Sequence, residues 1–219
     1  MSERKAALRA NLEPLTEEEL ARMTAVVKAG FAGNEAQARQ GFADPSARLR
    51  AAAVAALVRM GAATDDDAFA ALGDTGLEVR LAGAKALLEL PHAPAVTLLA
   101  NESNPLVTEA LIYALGERRE EAAWDTLCRL ATTHPDPLCR EAAVAAIANY
   151  ERDSAIEILE FAAKDKPAIR RRVAVALAGL SGPRATALLA RLAEDRDWQT
   201  RQIASEILSI EAGTPTEQS

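Results

Sequence analysis

The sequence predicts an all-α chain, an α-solenoid of stacked helical hairpins, and three observations carry that prediction. Hydrophobic residues make up 49% of the 219 residues while aromatics are only 4%. A core built from alanine, leucine and valine requires elements that approach closely, which favours packed helices over sheets. Apolar positions recur at helical spacing along most of the chain. Finally, one kind of segment keeps returning: "DPLCREAAVAAIANY" starts at Asp136 and "KPAIRRRVAVALAGL" starts at Lys166, each with a proline three positions before an arginine and an alanine-rich stripe after it.

Residues 1–15 form an N-terminal segment without the apolar stretch of a secretory leader. "LTEEEL", Leu15 to Leu20, then carries a capping box, Thr16 with Glu19, and a hydrophobic staple between Leu15 and Leu20. A helix starts there, with Leu20, Met23, Val27 and Phe31 along one face, and "NEAQARQGFA" from Asn34 supplies its return helix. Residues 16–43 thus read as a divergent capping hairpin.

The repeats occupy residues 44–210. Alignment on the arginine gives Arg50, Arg80, Thr108, Arg140, Arg170 and Arg201, at spacings of 30, 28, 32, 30 and 31. The residue before each is Leu49, Val79, Val107, Cys139, Ile169 and Thr200; seven after come Leu57, Leu87, Leu115, Ile147, Leu177 and Leu208. Six after the anchor stand Ala56, Ala86, Ala114, Ala146, Ala176 and Ile207, a small-residue column that lets one helix lie close to the next. Pro105, Pro137 and Pro167 mark first-helix starts, where a missing N–H costs nothing. Second helices are predicted in "DDDAFAAL" from Asp65, "APAVTLLA" from Ala93, "EEAAWDTLCRLA" from Glu120, "DSAIEILEFAA" from Asp153 and "PRATALLARLA" from Pro183. Residues 16–210 read as one domain, and 211–219 as a disordered tail.

The polar-Pro-x-apolar-Arg turn, the alanine-rich helix and the return helix resemble the short HEAT-like repeats first associated with phycobilin lyases. The resemblance covers about Thr16 to Ile210. It implies a curved solenoid whose second helices line the concave surface. It also implies a structural role for the column Arg50, Arg80, Arg140, Arg170 and Arg201, each bonding to a turn of a neighbouring repeat. Two further functions enter by resemblance as alternatives: attachment or detachment of a chromophore, as in phycobilin lyases, and nucleic-acid binding through the basic C-terminal repeats, as in HEAT-like DNA glycosylases. Deoxyhypusine hydroxylase, a HEAT-repeat iron enzyme, uses His-Glu pairs; here His92 precedes Ala93 and His134 precedes Pro135.

No residue pattern assigns a catalytic, metal-binding or cofactor-binding role. Cys128 and Cys139 lack a metal spacing and read as small apolar residues within helices. His92 and His134 fall in turns, outside any hydrolase or metalloprotease motif. Asp65 to Asp67 precede a helix whose N-terminal end favours carboxylates. A net charge of -7 opposes general affinity for phosphate backbones or anionic membranes, and no stretch reaches the roughly 18 apolar residues of a membrane span. A cytoplasmic protein is expected.

Charge is unevenly distributed. Residues 164–201 hold nine basic and four acidic side chains, +5, which leaves -12 for the remainder. The aligned second helices add a column, Phe69, Val96, Trp124, Ile156 and Thr186. The expected function is therefore a non-catalytic scaffold or adaptor that holds a protein partner on its concave surface. The second-helix column is either covered by the next hairpin, the more expected case, or faces the concave groove; in the second case Phe69, Trp124 and Ile156 are the candidate apolar contacts, Trp124 first among them because tryptophan is enriched in binding hot spots. Arg170, Arg171, Arg172 and Arg184 are the candidates for an acidic portion of that partner.

Overall fold

The computed structural model describes residues 14–90, 95–211 and 213. Among these residues the regular structure consists of thirteen α-helices and one short 3-10 turn, with no strand. The protein is an all-α solenoid of helical hairpins. It divides into two compact units, Met1–Leu90 and Pro91–Ser219. His92 and most of the expected tail lie outside the described residues.

In the first unit, α1 (Glu17–Ala32) and α2 (Glu35–Gly41) form the opening hairpin, α3 (Ala47–Arg59) and α4 (Asp65–Leu72) the second, and α5 (Leu77–Ala86) follows. The capping box at α1 is present: the Glu19 N–H donates to Thr16 Oγ1, and the Glu19 carboxylate accepts from the Thr16 N–H at 2.9 Å. Thr64 and Asp67 build a second box at α4. Asp67 also accepts from Arg39 of α2 at 3.0 Å, so it joins two successive return helices besides starting its own. First helices pack side by side, α1 on α3 and α3 on α5, with α2 and α4 laid against them.

The buried side of α1 is Val26, Ala29 and Gly30, not the stripe of larger residues. Leu20 and Phe31 are 55% and 73% exposed, and the Arg59 guanidinium covers the Phe31 ring from 4.5 Å. Close approach decides the orientation. A Cβ on Gly30 would stand 2.9 Å from Ala56 Cβ, so only the small face of α1 can meet the alanine column of α3.

The second unit contains α6 (Val96–Asn101), α7 (Pro105–Arg118), α8 (Trp124–Thr133), α9 (Pro137–Ala148), α10 (Ala155–Ala162), α11 (Pro167–Leu177), α12 (Pro183–Leu192) and α13 (Trp198–Glu211). Helices α7, α9, α11 and α13 pack in succession as one row, and α8, α10 and α12 as another. Proline is the first residue of α7, α9, α11 and α12. Leu115, Ile147 and Leu177 are fully buried, as are Leu127, Leu159 and Leu189 of the return helices. The α7–α9 contact repeats the close approach of the first unit: a Cβ on Gly116 would lie 2.5 Å from Ala146 Cβ.

The return helix expected from Glu120 starts four residues later. Arg119 takes a left-handed conformation (φ 48°) that ends α7, and Glu121–Ala123 fit only a 3-10 turn before α8 opens at Trp124. Glu120 turns inward and faces Arg118 at 3.1 Å. Burial pushes its carboxyl above the ordinary range.

Candidate functional site

The arginine column forms links between consecutive turns. Arg50 forks onto Asp74, with Nε and Nη2 donating at 2.8 and 2.7 Å, while its Nη1 donates to the carbonyls of Asp44 and Pro45. Arg140 makes the same fork onto Asp165, and Arg170 onto Asp195. Each aspartate also accepts a backbone N–H of its own turn, from Gly76, Lys166 and Asp197 respectively. The guanidinium opposite holds all three carboxyls below the usual aspartate range. Arg80 donates to the carbonyls of Asp74 and Thr75, and Arg201 to that of Asp195. At the departing position, the Thr108 hydroxyl donates to Asn104 O. Arg22 of α1, which the alignment had not included, pairs with Asp44 at 2.9 Å, so the opening hairpin carries the link as well. Its position 28 residues before Arg50 was the signal available in the sequence.

The predicted partner-binding residues divide by environment. Ile156 is 7% exposed and lies on the core side of α10 with Leu159, so it offers no surface to a partner. Phe69 and Trp124 are half-buried. Arg170 is 4% exposed and fully engaged with Asp195 and the Asp165 carbonyl, which removes it from any binding surface. The remaining three arginines also face carboxylates: Arg171 meets Asp197 at 2.9 Å, Arg172 meets Glu141 at 3.5 Å, and Arg184 meets Glu160 at 3.0 Å. Four of the nine basic side chains of that segment, Arg170, Arg171, Arg172 and Arg184, are thus engaged with carboxylates of other helices or turns, and these residues do not gather around Trp124.

Trp124 is instead the centre of a different cluster. Its ring lies 5.2 Å from that of Tyr150, tilted by 60°, and the Arg152 guanidinium sits 4.7 Å over the indole and 5.5 Å from the phenol ring. Arg152 also pairs with Glu121. The Tyr150 hydroxyl donates to Glu120 O at 2.7 Å, and burial pushes its pKa up to about 12. The 3-10 turn, the start of α8 and the turn after α9 thus hold one indole in a fixed orientation, partly open to solvent. Cys128, one turn further along α8, has its thiol pushed up to about 11 by burial, so it stays protonated at neutral pH. Cys139 is buried and approaches Pro105 O at 3.3 Å.

The column alignment missed Phe161. It is 56% exposed on α10, five residues after Ile156 and on the opposite side of the helix. The column stands three residues before each core leucine, which in α10 is the core side, whereas Phe161 stands two after Leu159 on the open side. Elsewhere, a shallow apolar groove runs between α3 and α5, lined by Ala52, Ala55, Val58 and Leu81 with Arg59 and Glu89 at its rim.

Among the described residues, no three of His, Cys, Asp and Glu converge on a common point. The backbone N–H of Asp136 donates to His134 Nδ1 within its turn. No described helix is long and apolar enough to cross a membrane. A search of curated proteins returns no match to the chain. Residues 92–172 match a family model described as HEAT repeats. The Arg140–Asp165 link of that stretch has counterparts in Arg50–Asp74 before it and in Arg170–Asp195 across its end, so residues 92–172 are HEAT-like repeats.

Proposed function

We propose that the protein is a non-catalytic scaffold or adaptor that holds a protein partner on the return-helix face of its C-terminal unit, with Trp124 as an anchor. HEAT repeats generally serve protein interaction, and this reading takes residues 16–210 as one array capped by 16–43. One observation carries it. Trp124 is half-buried and held by Tyr150 and Arg152, so the part of the indole left open to solvent has little conformational freedom to lose on binding.

The test is affinity capture with the full chain from the native organism, followed by mass spectrometry and by measurement of affinity for the recovered partner. Trp124→Ala is expected to weaken binding by about 2 kcal/mol or more, roughly thirtyfold in Kd. Trp124→Phe, which keeps a ring beneath Arg152, should recover part of the loss. Both variants must first show an unchanged thermal midpoint. A folded Trp124→Ala chain that binds normally removes this reading. Pigment recovered with the chain would support the chromophore-handling alternative, and steeply salt-dependent retention of duplex DNA the nucleic-acid one.

A further inference from the structure

Counted from the linking arginine, the outward side of a first helix is formed by the residues two before it and two, five and nine after it. In the α3 repeat these are Arg48, Ala52, Ala55 and Arg59, and in the α5 repeat Glu78, Ala82, Lys85 and Glu89; none of the eight is buried. Counted from Arg22, the same positions in α1 are Leu20, Thr24, Val27 and Phe31. Leucine and phenylalanine thus stand where the next two first helices carry charges. The four positions follow at intervals of four, three and four and share one side of α1, over about 16 Å. All four are exposed, Leu20 at 55% and Phe31 at 73%. Arg59 covers the Phe31 ring from one side only. The Thr24 hydroxyl donates back to Leu20 O at 2.8 Å, so it needs no outside partner. One exposed apolar residue is ordinary; a stripe of them along a helix marks a face that another element covers.

The element that can cover it is attached to it. Residues 1–13, which lie outside the described residues, read MSERKAALRANLE and lead directly into α1. Met1, Leu8 and Leu12 are seven and four residues apart, the same intervals as Leu20, Val27 and Phe31. Alanine, arginine, lysine and leucine fill most of the segment, all of them strong helix formers, and Pro14 stops a helix before it. A helix over residues 3–12 is about 15 Å long, which matches the stripe. The few residues between it and α1 permit only an antiparallel return. So short a tether also holds the segment at a high effective concentration, which favours it over any separate chain for the same face.

We propose that residues 3–12 form a helix that folds back along α1 and covers Leu20, Val27 and Phe31. Leu12 then packs beside Leu20, Leu8 beside Thr24 and Val27, and Met1 against the Phe31 ring. The chain itself thereby closes the outer side of its opening hairpin to partners. This proposal is independent of the scaffold reading, which concerns the return helices of the other unit.

The test is hydrogen exchange of the full chain, read together with hydroxyl-radical footprinting of Phe31. Amides of residues 3–12 should exchange at least about tenfold more slowly than in an isolated peptide of the same sequence. Phe31 should be oxidised more slowly than Phe161, although the described helices leave Phe31 the more exposed of the two, 73% against 56%. A Leu8→Gln, Leu12→Gln double variant exchanges one helix former for another, so it reads the apolar contact alone; it should abolish the protection and bring Phe31 oxidation up to that of Phe161. Phe31→Gln, a change at an exposed position, should release residues 3–12 in the same way. Ala10→Lys, on the side of the segment opposite Leu8 and Leu12, should alter neither readout. Unprotected residues 3–12 in the unmodified chain, or Phe31 as reactive as Phe161, would overturn the proposal. So would protection that persists in the double variant, or protection lost on dilution as light scattering shows a dimer dissociating, because a second copy would then be the cover.

Discussion

Arg170 and Arg184 belong to one basic stretch of sequence and differ entirely in surroundings. Arg170 is forked onto Asp195 with its side chain almost fully covered, whereas Arg184 reaches across solvent to Glu157 and Glu160. Arg170→Ala should therefore cost roughly 1.5–3 kcal/mol, the range for losing hydrogen bonds to a charged group. Arg184→Ala should leave stability unchanged, since exposed pairs contribute little. Urea denaturation of both variants measures the difference. The same links set a pH dependence. Because Arg50, Arg140 and Arg170 hold Asp74, Asp165 and Asp195 below the usual aspartate range, their stabilisation is present above that range and is lost as pH falls through the depressed folded values. Denaturation midpoints should thus drop below about pH 4, and drop less in an Asp165→Asn variant, which starts weaker at neutral pH. The arginines were legible in sequence because they recur about every thirty residues. Their aspartates, 24 or 25 residues downstream, were not, because acidic residues are common and a column of them has meaning only once the turns are placed.

At the scale of the helix, the buried columns determine which packing contacts bear the stability. Leu115 and Leu177 are fully buried, so replacement of either by alanine should cost about 2–5 kcal/mol in equilibrium unfolding. Gly116 and Ala146 allow α7 and α9 to come close enough that an added methyl has no room. Gly116→Ala, which would otherwise favour a helix, should instead destabilise by roughly 1–3 kcal/mol through overpacking. Helix starts were legible because Pro105, Pro137, Pro167 and Pro183 stand at first positions and Thr16 caps its helix. The inward face of α1 was not, because hydrophobicity marks Leu20 and Phe31 while the neighbouring helix demands Ala29 and Gly30. The column drawn three residues before each core leucine stays on the leucine's side of the helix, which put Ile156 on the binding surface and left Phe161, two residues after Leu159, off it. Likewise, the turn before α8 depends on a left-handed Arg119, a conformation that residue type does not announce.

Across the whole molecule, stacked repeats derive their stability from each neighbour and their function from whatever face the stack leaves open. The fold was readable because periodic sequence and periodic packing are the same fact seen twice. The site was readable only in part, since a repeat fixes where a return helix lies but not which of its side chains remain unpaired. The central claim is that the return-helix face of the C-terminal unit receives a protein. Hydroxyl-radical footprinting of the chain alone and with its captured partner tests it most directly, because aromatic side chains react readily when exposed. Oxidation of Trp124 and Phe161 should fall on binding while that of Tyr113, on the first-helix row, and of Trp198, at the start of α13, stays the same. Protection of Tyr113 with Trp124 and Phe161 unchanged would contradict the account.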